Sequence, residues 1–145
     1  MIVHVRVKRL NPDAKIPKAA KKGDVAFDLY SVIDYEIKPG ERYAVPTGIA
    51  LEIPSGFEGQ VRPRSGLAMK EGLTVLNTPG TIDSGYRGEV KTIMINQGES
   101  PFRITKGMRI SQLAIRRVPT VEFIEVDELS ETDRGEGGFG STGSH

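Results

Sequence analysis

Gly80-Thr81-Ile82-Asp83-Ser84-Gly85-Tyr86-Arg87-Gly88 sets an acid, a hydroxyl and an aromatic ring within four residues, bracketed by glycines. Apolar runs flank it, Leu73 to Leu76 before and Val90 to Ile95 after. That pattern predicts two strands joined by a tight Gly-supported turn, which pushes Asp83 and Tyr86 off the edge of a sheet. Taken alone, Asp-Ser-Gly is a common turn whose Asp bonds its own backbone. Chemistry at Asp83 has to be argued from the remainder of the chain.

Outward from that stretch the signals are those of short strands. Val3, Val5 and Val7 alternate with His4, Arg6 and Lys8, the mark of a strand with one buried face. Nine prolines punctuate the chain. Between them lie Tyr35 to Ile37, Ile49 to Ile53, Gly56 to Val61, Phe102 to Ile104 and Val121 to Val126, each reading as a strand. Pro39-Gly40 and Asn96-Gln97-Gly98 read as turns. Ser65 to Lys70, after Pro63, is the one candidate for a short helix. The sum predicts an all-β, jelly-roll-like distorted β-barrel with at most one short helix and no internal repeat.

The 145 residues suit one domain with a real core. The absence of cysteine excludes disulfides, thiolate chemistry and Cys-ligated zinc. A net charge of +1 gives no bulk field for nucleic acid or a membrane surface. No apolar run approaches a membrane span, and no basic-then-apolar leader precedes the first strand, so a cytoplasmic protein is expected. The two histidines, His4 in a strand pattern and His145 at the end, are poorly placed for catalysis. A general base is therefore expected to be a carboxylate.

The last stretch differs in kind. Five of the nine residues from 135 to 143 are glycine, a composition that buries too little surface to fold alone. It predicts a flexible segment over 134–145 beside a β-domain over 1–133. Phe139 at its centre and Arg134 at its start are unusual for a frayed end. Gly-rich backbone wraps phosphates with its N–H groups, and arginine adds bidentate charge.

Five clusters, each weak alone, stand in order: AFDLYS at 26–31, PRSGL at 63–67, the Gly80–Gly88 stretch, GMRISQL at 107–113 and RGEGGFGSTG at 134–143. Five in register resemble the motifs of the trimeric dUTPase family, over nearly the whole chain. Ala26 stands where that family usually has Gly, and Ser111 replaces a frequent Ala. Neither removes a chemical group.

The resemblance implies a β-clip fold and an enzyme, dUTP diphosphatase. It would cleave dUTP to dUMP and pyrophosphate by water attack on the α-phosphorus, removing dUTP and supplying dUMP for dTMP synthesis. Asp83 would be the base. Tyr86 would pack under the sugar and leave no room for a 2′-hydroxyl. Asn77 would assist at the uracil, with backbone at Thr81 and Ile82 reaching the sugar and backbone around Val90 and Lys91 excluding a 5-methyl group. Arg64 and Arg134 would clamp the triphosphate, which carries about four negative charges. Ser65, Gly66 and Gln112 would bond its oxygens or fix a water. Phe139, with Gly140 and Ser141, would close over the base. Mg2+ would ride on the phosphates, held by Asp28 through water. The family is a homotrimer with active sites shared by three subunits: one gives the second and fourth motifs, another the third, the last its tail. Two rivals stand beside this reading, a dCTP deaminase of similar fold and a nucleotide-binding module without catalysis.

Overall fold

The computed structural model describes residues 1–141 and 143. Among the described residues ten strands form three antiparallel sheets, with one short helix beside them. The first sheet takes the order β1 (Arg6–Arg9), β4 (Arg42–Glu52), β8 (Glu89–Asn96) and β6 (Leu73–Val75). The second takes β2 (Phe27–Tyr30), β10 (Arg109–Arg117), β5 (Phe57–Arg62) and β7 (Gly80–Ile82). A two-stranded ribbon, β3 (Tyr35–Ile37) with β9 (Phe102–Ile104), completes the set. Both four-stranded sheets feed one core: Val45, Ile49, Leu73 and Met94 from the first meet Leu29, Val61, Ile110 and Leu113 from the second. Among the described residues the strands form a jelly-roll-like sandwich and close no continuous barrel.

Alternation of side chains explains most strands. In β8 buried Val90, Thr92, Met94 and Asn96 alternate with more open residues. Val5 and Val7 pack on the core while His4, Arg6 and Lys8 face out. Hydroxyls of Thr92 and Ser111, both fully buried, bond at 2.8 Å and tie β8 to β10 across the sandwich. That satisfies two groups whose burial alone is unfavourable.

Two expectations are corrected. The stretch between Leu76 and Val90 is no tight hairpin turn. β6 and β8 do pair, but the chain between them leaves for the second sheet, where Gly80–Ile82 pairs with β5, and then returns. Alternation inside it, with Gly80 and Ile82 buried and Thr81 exposed, drives the crossing. The strand expected over 121–126 does not form. β10 ends at Arg117, and Val121, Phe123, Ile124 and Val126 all lie exposed, Phe123 at 96%. Among the described residues that apolar segment pairs with no strand. Elsewhere an apolar cavity of about 420 Å³ opens beside β1, lined by Val3, Val5, Val7, Phe27, Phe57 and Ile115 among others.

β4 bends where its pairing with β8 shifts between Pro46 and Ala50. Gly48 sits there at φ +72°, and a Cβ on it would meet Val32 and Asn11 side chains at 3.0 Å. Its N–H donates to Glu89 at 2.9 Å, and the Thr47 hydroxyl donates to the Val90 carbonyl. The bulge thereby fixes the start of β8. Tyr35 stacks on Tyr43, centroids 3.8 Å apart, and its hydroxyl bonds Glu41. This bond pushes Tyr35 up to about 12. The Lys38 N–H first, and Tyr35 second, hold Glu41 below the usual carboxylate range.

The helix α1 (Ser65–Glu71) has no buried residue and ends on Gly72 in the left-handed conformation at φ +68°. Gly72 packs against the backbone of Gly98, where a Cβ would come within 2.7 Å of the amide nitrogen. Asn96 holds that loop. Its amide donates to the carbonyls of Ile37 at 3.0 Å and Ser100 at 2.9 Å, and its carbonyl accepts from Gly98 N–H at 2.9 Å. Asn96→Ala strands three partly buried groups, each costing about 1–3 kcal/mol. Urea denaturation should show a clearly lowered midpoint; an unchanged midpoint would mean that the loop is held by other contacts.

Candidate active site

Strand register assembles the first half of the site. In the order β2-β10-β5, Gln112 stands opposite both Asp28 and Arg62. Three polar side chains therefore lie in a row across the second sheet. Arg64, just past β5, brings Nε to 3.9 Å from Asp28 Oδ1. Arg109, at the start of β10, brings Nη1 to 3.6 Å from Asp28 Oδ2. Arg64 also donates to the Arg109 carbonyl at 3.3 Å. Asp28 is buried, so its charge is shielded from water and pairing is needed. These residues and Asp24 line a cavity of about 340 Å³. Three guanidinium groups against two carboxylates leave it cationic, suited to a polyanion. Ser65 and Gly66 open α1 directly after Arg64 and are exposed, with open space around the Gly66 Cα.

The crossing segment builds the second half. Asn77, Thr81, Ile82, Asp83, Tyr86, Val90 and Lys91 all line one cavity of about 360 Å³, together with Ala44, Glu89 and Ile93. Asp83 is exposed at its rim. Tyr86 closes a turn, its N–H donating to the Asp83 carbonyl at 3.1 Å, and its hydroxyl donates to the Glu89 carbonyl at 2.9 Å. The ring is thus pinned back against the start of β8. Its exposed face, with Asn77 and main-chain groups nearby, suits a flat heterocycle and sugar.

The two cavities have no lining residue in common. The tail forms a third, of about 610 Å³, lined by Asp133, Arg134, Gly137, Gly138, Gly140 and Ser141. Arg134 donates to its own Gly137 carbonyl at 2.7 Å, and Phe139 is fully exposed at φ +51°. Thr142, Ser144 and His145 lie outside the described residues. The residues anticipated from sequence are therefore gathered in three places within one chain. Arg109 was not anticipated. Strict alternation puts it on the opposite face from Gln112, but a register shift between Arg109 and Ser111 turns it onto the same side. The consecutive burial of Ile110 and Ser111 is the trace of that shift. Among the described residues no three His, Asp or Glu side chains converge at metal-holding distance.

The sequence model of the dUTPase family matches residues 12–143. The chain belongs to the dUTPase family. It is 54% identical over 140 residues to the deoxyuridine 5'-triphosphate nucleotidohydrolase of Clostridioides difficile, covering 97% of this chain and 98% of that one. With the protein of the same name from Nautilia profundicola it shares 56% over 139 residues, 96% of this chain and 98% of that. Its fold is similar to a Staphylococcus bacteriophage 80alpha dUTPase mutant solved with dUpNHpp, with a TM-score of 0.91 at 30% identity, covering 97% of this chain and 99% of that chain. A mutant dUTPase of the S. aureus phage phi11, described with a structural Mg(II) ion, gives 0.81 at 25% identity, over 86% and 97% of the two chains. Ser111, a departure from the dUTPase pattern, is accommodated by its bond to Thr92.

Arg109 tests the cationic cavity. A hydrogen bond to a charged group contributes about 1.5–3 kcal/mol. Arg109→Ala should weaken pyrophosphate binding by about ten- to a hundredfold in calorimetric titration. Unchanged affinity would exclude Arg109 from the anion site.

Proposed function

We propose that this chain hydrolyses dUTP to dUMP and pyrophosphate, with Asp83 as the general base on the water that attacks the α-phosphorus. The observation that carries the reading is Asp83 itself, an exposed carboxylate on the rim of the cavity that Asn77 and Tyr86 line. The full-length similarity to deoxyuridine 5'-triphosphate nucleotidohydrolases supports it, as does dUpNHpp, a dUTP analogue, in a phage relative.

Uracil presents acceptor, donor and acceptor along one edge. Main-chain groups of β7 and the start of β8, with the Asn77 amide, match that order and leave cytosine with mismatched pairs. Each unsatisfied group costs about 1–3 kcal/mol. The Tyr86 ring lies under deoxyribose and refuses a 2′-hydroxyl. Backbone near Val90 and Lys91 refuses a 5-methyl group by sterics, since an apolar pocket alone gains from a methyl. The triphosphate lies among Arg64, Arg109, Gln112, Ser65 and Gly66. Arg134 adds a charge from the tail, and residues 134–145 act as a lid separate from the 1–133 domain, with Phe139, Gly140 and Ser141 over the base. Asp83 orients the water and takes its proton, an effect of about 10²–10⁴-fold. Positioning and charge neutralisation supply the remainder.

The protein residues fit Mg2+ only as a passenger of the triphosphate. Asp28 is already paired with two arginines, so it would reach a cation only through water, with those arginines left in place. Bound there, the ion would neutralise phosphate charge and shape the chain for in-line attack. Three further features support a homotrimer with shared sites. The nucleoside and phosphate cavities are separate in one chain. The apolar 121–126 segment is exposed, and an apolar cavity beside β1 lacks a filling. Clearance of dUTP and supply of dUMP for dTMP synthesis follow from the reaction.

The test is a nucleotide panel of dUTP, dCTP, dTTP and UTP with Mg2+, reading pyrophosphate and ammonia. Pyrophosphate from dUTP alone is expected, and Asp83→Asn should lower turnover by about 10²–10⁴-fold while dUTP still binds. Ammonia from dCTP, or binding without product, would overturn the reading.

A further inference from the structure

Resting on the hydrolase reading above, we propose that Arg87 is a positioning residue for Asp83 and Tyr86, with Gly88 as the seat of the Tyr86 ring. Neither touches the cavity that the nucleoside would occupy. Arg87 Nη1 donates to two backbone carbonyls at once, Ser84 at 2.6 Å and Tyr86 at 3.2 Å. Ser84 lies inside the four-residue turn that runs from Asp83 to Tyr86, and Tyr86 closes it. One cationic nitrogen therefore ties the residue after the base to the residue that carries the ring. Charged donors make the stronger hydrogen bonds. The Arg87–Glu52 ion pair is longer, at 3.8 Å, and both side chains are about half exposed, so it contributes little.

Gly88 acts on the ring. A Cβ there would lie 2.6 Å from Tyr86 Cζ and 3.0 Å from Cε1, distances that force the ring to move. Without that carbon the hydroxyl end of the ring packs against residue 88, and the hydroxyl reaches the Glu89 carbonyl at 2.9 Å. Arg87 holds the turn through two of its carbonyls while Gly88 and Glu89 hold the ring against β8. Selection against a 2′-hydroxyl depends on the height of that ring, so the pair sets specificity without contacting substrate.

The experiment compares full-length wild type, Arg87→Ala, Arg87→Lys, Glu52→Gln and Gly88→Ala, each confirmed folded by circular dichroism. Values of kcat and KM are measured for dUTP and UTP with Mg2+. Misplacement of a catalytic group by an ångström costs about 10²-fold, so Arg87→Ala should lose about that factor in kcat with KM far less changed. Its preference for dUTP over UTP should narrow by about tenfold, the worth of one hydrogen bond. Arg87→Lys, whose ammonium can bond both carbonyls, should recover part of each loss. Gly88→Ala should narrow the preference more than it lowers kcat for dUTP, and Glu52→Gln should match wild type. Wild-type kcat and preference in Arg87→Ala would overturn the proposal, as would Glu52→Gln behaving like Arg87→Ala. Should Arg87→Ala fail to fold, Arg87→Gln, too short to span both carbonyls, carries the same expectation. A wild type inert toward dUTP defeats the hydrolase reading, whereas an active wild type with an indifferent Arg87→Ala defeats only this one.

Discussion

Between Val75 and Glu89 the backbone leaves the first sheet, pairs for three residues in the second and returns. The placement of Asp83 and Tyr86 in the cavity proposed for the nucleoside follows from that excursion. Gly80 and Ile82 are buried in the core, so the residues after them must turn outward sharply to come back to β8. Asp83 and Tyr86 are carried on that return. The bulge at Gly48 fixes where the return lands, because its amide and the neighbouring Thr47 hydroxyl hold Glu89 and Val90. A core constraint thus sets the geometry of surface groups.

On the other face of the problem, register alone assembles a cationic cavity. Asp28, Gln112 and Arg62 sit on three adjacent strands. The buried Asp28 carboxylate then gathers Arg64 and Arg109 around itself. Holding two guanidinium groups in place before a polyanion arrives reduces the ordering required on binding. The same carboxylate would otherwise repel phosphate, so its neutralisation by both arginines is what makes the cavity attractive to one.

Much of this was legible in the sequence. Alternation found β3, β8 and β9 nearly to the residue, and the short helix expected over Ser65 to Lys70 forms as Ser65–Glu71. The family resemblance assigned Asp83, Tyr86, Asn77 and Lys91 to the nucleoside and Arg64 and Gln112 to the phosphates, and the fold brings each of these groups to the lining of one cavity. What escaped is long-range or irregular. The sheet partner of Gly80–Ile82 is β5, some twenty residues earlier, and no local pattern names it. The bulge after Arg109 breaks the period of two and hides that residue's face. The 121–126 pattern is that of a strand, yet alternation names no partner, and the segment pairs with no strand among the described residues.

Two cavities with no lining residue in common, proposed for nucleoside and phosphates, make the sharing of each site between subunits the claim on which the proposed chemistry stands. Subunit mixing tests it most directly. Asp83→Asn and Arg64→Ala chains, each nearly inactive alone, are unfolded together in equal amounts and refolded. Sharing predicts recovery of about a quarter of wild-type dUTP turnover, because in a randomly mixed symmetric oligomer each of the two intact groups has an even chance of being present. If Asp83 and Arg64 serve one site from the same chain, mixing restores nothing, and that result would contradict the assembly of the site described above.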